Sequence, residues 1–148
     1  MAFVPSYRSS YLIPGGAIEA NESPYEALMR ECQEKMGTQI QVESFLCVDY
    51  KRGTPEVGDA INFLFYGRLH GDPEIKTQGI EIKKVVYVPL EEIRFYFEEN
   101  VQFQILAGLK ALVNQCAYYC EDGKIRFPIS LRTSIQGDLS DYFPSQKS

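Results

Sequence analysis

The chain has 148 residues, of which 45% are hydrophobic and 13% aromatic, a composition that suits one globular domain over residues 1–148. Its net charge of -5, without a basic run, argues against a surface that binds a nucleic-acid duplex. No apolar run approaches the roughly 20 residues of a membrane span, so we expect no membrane association and a cytoplasmic location. The cysteines match no paired zinc motif and are expected to be buried thiols: Cys32, Cys47, Cys116 and Cys120.

The first predicted elements are a short strand at 10–13 and a helix that begins after Ser23. Ser23 is a favourable N-cap, and Glu26 three residues later completes a capping box. Gly37 is the expected C-cap, because glycine adopts the left-handed conformation at low cost. The side chains that recur at helical spacing and predict a buried stripe are Tyr25, Leu28, Met29, Cys32 and Met36.

The rest of the chain predicts a mixture of strands and one more long helix. Segments 39–50 and 60–69 are rich in β-forming residues and are expected to pair as antiparallel neighbours. Segment 80–90 predicts another strand, and 101–119 predicts an amphipathic helix after a short turn or helix. The C-terminal part, 118–148, is interpreted as a hairpin around Asp122-Gly123 followed by a polar tail. This order favours an α+β fold or a sandwiched α/β/α layer structure.

Two carboxylates lie on one face of the first helix. Glu31 and Glu34 are about 60° apart around the helix axis, and Glu22 lies in the loop just before it. Carboxylate oxygens on a rigid element suit Mg²⁺ or Mn²⁺. The alternative is a solvated helix face, because Glu31 followed by Lys35 four residues later is the favourable order for a surface ion pair. Helix geometry alone leaves both interpretations open.

The spacing of the whole stretch from 16 to 38 resembles the Nudix box. That pattern is glycine, five residues, glutamate, seven residues, Arg-Glu, an apolar residue, any residue, Glu-Glu, any residue, glycine and an apolar residue. The matching positions are Gly16, Glu22, Arg30, Glu31, Cys32, Glu34 and Gly37. The similarity is sharp over residues 14 to 38, extends more diffusely to about residue 115, and is absent from 116 to 148.

The resemblance implies a Nudix-like α/β/α sandwich with a mixed sheet and divalent-metal-dependent hydrolysis of a nucleotide-like small molecule. The bond cleaved would be the pyrophosphate bond of a nucleoside diphosphate linked to another moiety. The resemblance also implies roles for individual residues: Glu31, Glu34, Arg30 and Glu22 as the catalytic set, Glu31 and Glu34 as ligands of Mg²⁺ or Mn²⁺, Glu22 and Arg30 as the brace between loop and helix, and Gly15 and Gly16 as substrate-binding backbone. A further carboxylate ligand often comes from a later loop in the family, and Glu81 is the candidate here, with an ordinary surface acid as the alternative.

One departure from the family pattern lies inside the box. Lys35 stands where the pattern has the second glutamate, and Thr38 stands where it has an apolar residue. A lysine ammonium near a metal position repels the ion, so metal affinity and hydrolysis are expected to be weakened. Lys35 could instead fold toward Glu31 or contact a substrate phosphate. The alternative function is a catalytically degenerate Nudix-like module that binds a nucleotide or a protein partner.

The second departure is the short N-terminus. Only 13 residues precede Pro14, whereas the family usually has one or two strands before the box. We therefore expect that the N-terminal strand is missing, or that segment 124–131 or a partner chain replaces it. An unpaired sheet edge tends to associate with another chain, which makes a homodimer the expected assembly.

Overall fold

The computed structural model describes residues 2–5, 11–70 and 82–129. Helices and strands follow one another in the mixed order that the sequence predicts. The strands are β1 (Ala2–Pro5), β2 (Ile40–Lys51), β3 (Ala60–Leu69), β4 (Ile82–Val86), β5 (Ala117–Glu121) and β6 (Lys124–Ile129). The helices are α1 (Pro24–Met36), α2 (Ile93–Tyr96) and α3 (Glu99–Asn114), with a 3-10 turn at Leu90–Glu92 before α2.

The larger sheet has four strands in the order β3-β2-β5-β6. Strands β2 and β3 are antiparallel over their whole length, from Ile40 opposite Leu69 to Lys51 opposite Ala60, as predicted. Strand β5 runs parallel to β2, and β6 returns antiparallel beside β5. The sheet is therefore mixed, and together with the helices it gives the predicted α+β, Nudix-like fold.

The N-terminal segment differs from the expectation of a missing strand. Residues Ala2–Pro5 form β1, which pairs antiparallel with β4 in a separate two-stranded sheet. Residues 124–129 form β6 at the edge of the four-stranded sheet, and the last two residues of the proposed replacement segment, 130–131, lie outside the described part. A strand therefore precedes the box, but it lies outside the four-stranded sheet.

Two further element boundaries differ from the sequence prediction. Of the strand expected at 10–13, residue 10 lies outside the described residues, and the rest is reduced to an isolated bridge at Leu12. The second long helix was expected over 101–119, but α3 ends at Asn114 because Gln115 adopts a left-handed backbone with φ 52°. Residues 117–119 of that prediction belong to β5. The helix boundary was wrong because the pairing of β5 with β2 overrides the local periodicity of the sequence.

Helix α3 covers one face of the four-stranded sheet. Its small residues Ala107 and Ala111 pack with Leu46 of β2 and with Tyr118 and Cys120 of β5 in one buried cluster. A second cluster joins α2 to the start of α3 through Ile93, Phe97 and Val101. Within the residues that the structure describes, no helix is long and apolar enough to cross a membrane.

A buried carboxylate joins the sheet, the long helix and the hairpin. Asp49 in β2 is 2% exposed. Its Oδ1 accepts a hydrogen bond from the backbone N–H of Gly123 at 2.9 Å, and its Oδ2 accepts one from the Gln104 side chain at 2.8 Å. Because a buried carboxylate is costly unless it is hydrogen-bonded, these two donors fix the β5–β6 turn against β2 and α3.

Replacing Asp49 tests how much its two hydrogen bonds stabilise the fold. We expect Asp49→Ala to lower the free energy of unfolding by about 2 kcal/mol, because two buried donors lose their acceptor. Asp49→Asn keeps an acceptor oxygen for the Gly123 N–H and is the matched control, with a clearly smaller loss expected. Urea denaturation of the three proteins measures the difference, and equal losses for Ala and Asn would contradict this assignment.

Candidate active site

Helix α1 begins and ends as its sequence predicts. The Ser23 hydroxyl accepts the Glu26 backbone N–H at 3.2 Å, and the Glu26 carboxylate accepts the Ser23 backbone N–H at 2.8 Å, which completes the capping box. At the other end Gly37 has φ 64° and donates its N–H to the Gln33 carbonyl. These caps fix the start and end of the helix that carries the predicted site residues.

Arg30 ties the loop before α1 to the helix. Its guanidinium donates to both oxygens of Glu22, from Nε at 2.7 Å and from Nη2 at 2.9 Å, and Nη2 also donates to the Ala17 carbonyl at 3.0 Å. The backbone N–H of Glu19 donates to the same Glu22 carboxylate at 2.9 Å. The Arg30 hydrogen bonds, assisted by this N–H, lower the pKa of Glu22 to about 2. Glu22 and Arg30 thus form the brace that the resemblance implied.

Glu31 and Glu34 converge on one atom of the same guanidinium. Arg30 Nη1 lies 3.1 Å from Glu31 Oε1 and 3.2 Å from Glu34 Oε2. The two carboxylates differ in exposure, since the Glu31 side chain is 10% exposed and the Glu34 side chain is 60% exposed. A ligand arriving from solvent therefore reaches Glu34 first, while Glu31 lies beneath it.

Lys35 folds back toward the glycine turn. Its ammonium lies 2.5 Å from Glu31 Oε2 and donates a hydrogen bond to the Gly15 carbonyl at 3.1 Å. Within the described residues the buried Glu31 Oε2 accepts no well-directed hydrogen bond, so the contact with Lys35 is an ion pair. The sequence suggested the contact between Lys35 and Glu31, but nothing in it indicated the Gly15 carbonyl.

Gly16 lies directly against the Glu31 carboxylate. A Cβ added at Gly16 would lie 2.0 Å from Glu31 Cδ, a distance that real atoms do not reach. Gly15 has φ 145°, a backbone conformation that favours glycine, and a Cβ there would meet no atom within 4 Å. The two positions thus favour glycine for different reasons: Gly16 leaves room for a carboxylate, and Gly15 allows the backbone turn.

The predicted metal ligands are only partly brought together. Glu31 and Glu34 lie side by side, but Arg30 and Lys35 place cationic nitrogens on both oxygens of Glu31. Over residues 2–5, 11–70 and 82–129, no group of three or more His, Cys, Asp or Glu side chains could hold a metal ion. Glu81, the third predicted ligand, lies outside the described residues. Glu31 and Glu34 supply carboxylate oxygens that suit a divalent ion, but the Arg30 and Lys35 cations compete with such an ion for Glu31.

Three of the four cysteines are buried as the sequence predicts, and Cys116 is half-buried. All four are free thiols, and Cys32, Cys47 and Cys120 are buried. Burial raises the pKa of Cys32 on α1 to about 11 and that of Cys47 to about 12. A thiol with such a pKa is protonated at neutral pH, so neither is a nucleophile for the site.

Comparison with known proteins agrees with this geometry. A family model described as the NUDIX domain matches residues 4–109. The chain belongs to the Nudix family. This membership confirms the interpretation of residues 16–38 as a Nudix box. No curated protein sequence has significant similarity to this Nudix domain.

A solved structure shows the same fold. The crystal structure of a UDP-X diphosphatase superposes with a TM-score of 0.67 and 21% sequence identity. The aligned region covers 80% of this chain and 59% of that one, so the Nudix domain spans less than two thirds of that protein. At this identity the likeness establishes the fold.

The Glu22–Arg30 pair predicts a particular dependence of stability on pH. The pKa of Glu22 is 4.5 without partners and about 2 in the folded protein. A carboxyl with a lowered folded pKa stabilises the fold above its unfolded value and loses this contribution as the pH falls through the folded value. We expect the part of the stability that Glu22 supplies to disappear between pH about 4.5 and about 2. Glu22→Gln should flatten this part of the profile of Tm against pH, and an unchanged profile would contradict the prediction.

The contact between Gly16 and Glu31 predicts that even one added methyl group at residue 16 destabilises the folded domain. We expect Gly16→Ala to destabilise the domain by about 2 kcal/mol, because the methyl group must displace a buried, ion-paired carboxylate. Gly15→Ala is the matched control, since its added methyl group meets no neighbour and only the backbone conformation costs energy, about 1 kcal/mol. Thermal unfolding of the two variants checks the order, and a Gly16→Ala protein as stable as the unchanged one would contradict it.

Proposed function

We propose that this Nudix domain hydrolyses the pyrophosphate bond of a nucleoside diphosphate linked to another moiety. The observation that carries the proposal is the convergence of Glu31 and Glu34 on one nitrogen of Arg30, beside the turn at Gly15 and Gly16. The neighbour of like fold is a UDP-X diphosphatase, and a compound of this kind belongs to the proposed substrate class. A nucleotide-like small molecule is therefore the proposed partner.

In this proposal each residue of the site has a distinct role. The exposed carboxylate of Glu34 accepts the proton of the attacking water, whose oxygen bonds to a phosphorus while the bridging P–O bond breaks. Arg30, held by Glu22, keeps Glu31 and Glu34 oriented. The open space beside Gly15 leaves room for the substrate phosphates. The Lys35 ammonium, which donates to the Gly15 carbonyl, lies next to this turn and attracts them.

We propose Mg²⁺ or Mn²⁺ as the cofactor, as the resemblance implies. Glu34 and Glu31 would hold the ion, with Glu81 as a further ligand from outside the described residues. Such an ion, when bound, neutralises phosphate charge and acidifies a water molecule. Glu34 offers the first contact because its side chain is exposed, while access to Glu31 requires the movement of a cationic side chain.

A second candidate function is supported by one specific observation. The Lys35 ammonium lies on the carboxylate that the family uses as a ligand, at 2.5 Å from Glu31 Oε2. A site neutralised in this way can bind a phosphate-containing molecule or a protein without hydrolysing it. The alternative is therefore a Nudix-like module that binds a nucleotide or a protein partner.

We also propose a cytoplasmic location and a homodimer. Free thiols suit a reducing compartment, and the four cysteines of this chain are all unpaired. The edge strand β3 exposes Ile61 at 59% and Phe63 at 40%, and apolar groups beside a strand edge favour association with another chain. Measurement of the molar mass in solution distinguishes a dimer from a monomer.

Turnover separates the two candidate functions. We expect the protein with Mg²⁺ or Mn²⁺ to release nucleoside monophosphate from at least one member of a panel of nucleotide sugars, ADP-ribose, dinucleoside polyphosphates and nucleoside triphosphates. Glu34→Gln should lower kcat at least about 100-fold, because it removes the proton acceptor. Glu91→Gln, at an exposed acid in the 3-10 turn, is the control with unchanged rate. Binding of a nucleotide without turnover would favour the module instead.

A further inference from the structure

We infer that the Lys35 ammonium is a tethered cation that takes the place of a metal ion between the Glu31 carboxylate and the Gly15 carbonyl. The inference rests on the proposed function only because that proposal places Lys35, Glu31 and Gly15 in the active site. Two acceptor oxygens from different segments face the Lys35 nitrogen: Glu31 Oε2 at 2.5 Å and the Gly15 carbonyl at 3.1 Å.

The first supporting observation is the burial of the carboxylate. The Glu31 side chain is only 10% exposed, and its Oε2 accepts no well-directed hydrogen bond from any described residue. The backbone of Gly16 closes the space on one side, since a Cβ would lie 2.0 Å from Glu31 Cδ. A buried carboxylate in such a place needs a cation next to it, because an uncompensated buried charge is costly.

The second observation distinguishes the two cations around Glu31. Arg30 reaches Oε1, but its guanidinium is also fixed by both oxygens of Glu22 and by the Ala17 carbonyl. Lys35 reaches Oε2 from a long, flexible side chain whose ammonium also donates to the Gly15 carbonyl. Arg30 is thus part of the brace, while Lys35 occupies the position that a cation from solution can enter.

An ordinary surface ion pair would behave differently. A pair four residues apart on an exposed helix face stabilises a protein only slightly, and its removal creates no site for a metal. Here the removal of the ammonium leaves the Glu31 carboxylate and the Gly15 carbonyl facing the same small space. A divalent ion then supplies the missing charge and stabilises the folded state by binding to it.

The test is a cycle of variants followed by thermal unfolding, first with a chelator and then with Mn²⁺ or Mg²⁺. We expect Lys35→Met to lower Tm by about 5 °C without metal, and Mn²⁺ to restore most of this loss. The unchanged protein and Lys110→Met, a control at an exposed lysine of α3, should gain clearly less from the metal than Lys35→Met, because their Lys35 ammonium already pairs with Glu31 Oε2. Lys35→Met combined with Glu31→Gln should show no restoration, because the carboxylate that attracts the ion is absent.

A second measurement covers the case in which Lys35→Met does not fold. Lys35→Glu adds a carboxylate at the same place, and we expect its Kd for Mn²⁺, measured by electron paramagnetic resonance of the free ion, to be at least about tenfold lower than that of the unchanged protein. Lys35→Arg keeps the positive charge and should bind Mn²⁺ as weakly as the unchanged protein. Equal Mn²⁺ affinity in all three proteins would overturn the inference, as would an equal rise of Tm with metal in the unchanged and Lys35→Met proteins.

These readouts do not depend on hydrolysis. Restoration by metal in Lys35→Met, without turnover of any substrate by the unchanged protein, would support the tethered cation and contradict the proposed hydrolysis. Turnover together with Mn²⁺ affinities that do not depend on residue 35 would support hydrolysis and contradict the tethered cation. The two failures are therefore distinguishable.

Discussion

The bidentate ion pair between Arg30 and Glu22 is the interaction on which the geometry of the site depends. It joins the loop before α1 to the middle of the helix, and the same guanidinium orients Glu31 and Glu34. An arginine suits this task because its planar donors reach several acceptors without rearrangement. Because Glu31 lies between this brace and the backbone of Gly16, the loop and the helix form one unit.

The sequence predicted the parts of the fold that local rules control. The caps of α1 follow from Ser23 and Gly37, and the pairing of β2 with β3 follows from two β-rich segments around a polar loop. The strand β1 was not predicted, because it depends on a partner distant in sequence. The end of α3 was not predicted either, since Gln115 adopts a left-handed backbone and β5 then pairs with the distant strand β2. A four-residue strand becomes stable only through its pairing with β4, which local periodicity does not reveal.

For the site, the spacing of the Nudix box predicted which side chains lie together but not all of their contacts. The fixed spacing from Gly16 to Gly37 indicated the brace and the two carboxylates, and the structure brings them together. The contact of Lys35 with the Gly15 carbonyl could not be read from the sequence, because it depends on how a turn 20 residues away packs on the helix. Side-chain direction at a helix surface is set by such packing more than by spacing.

The parallel pairing of β2 with β5 has a consequence for how the chain folds. Cys47 lies opposite Tyr118, so the centre of the larger sheet joins strands from the first and last thirds of the chain. The β2–β3 hairpin needs only a short loop, whereas β5 can join β2 only after the intervening chain has closed a long loop. During synthesis α1 and the β2–β3 hairpin emerge first. The edge of β2 that pairs with β5 stays unpaired until α3 and β5 have left the ribosome. That exposed strand edge is then the part of the nascent domain most prone to mispairing.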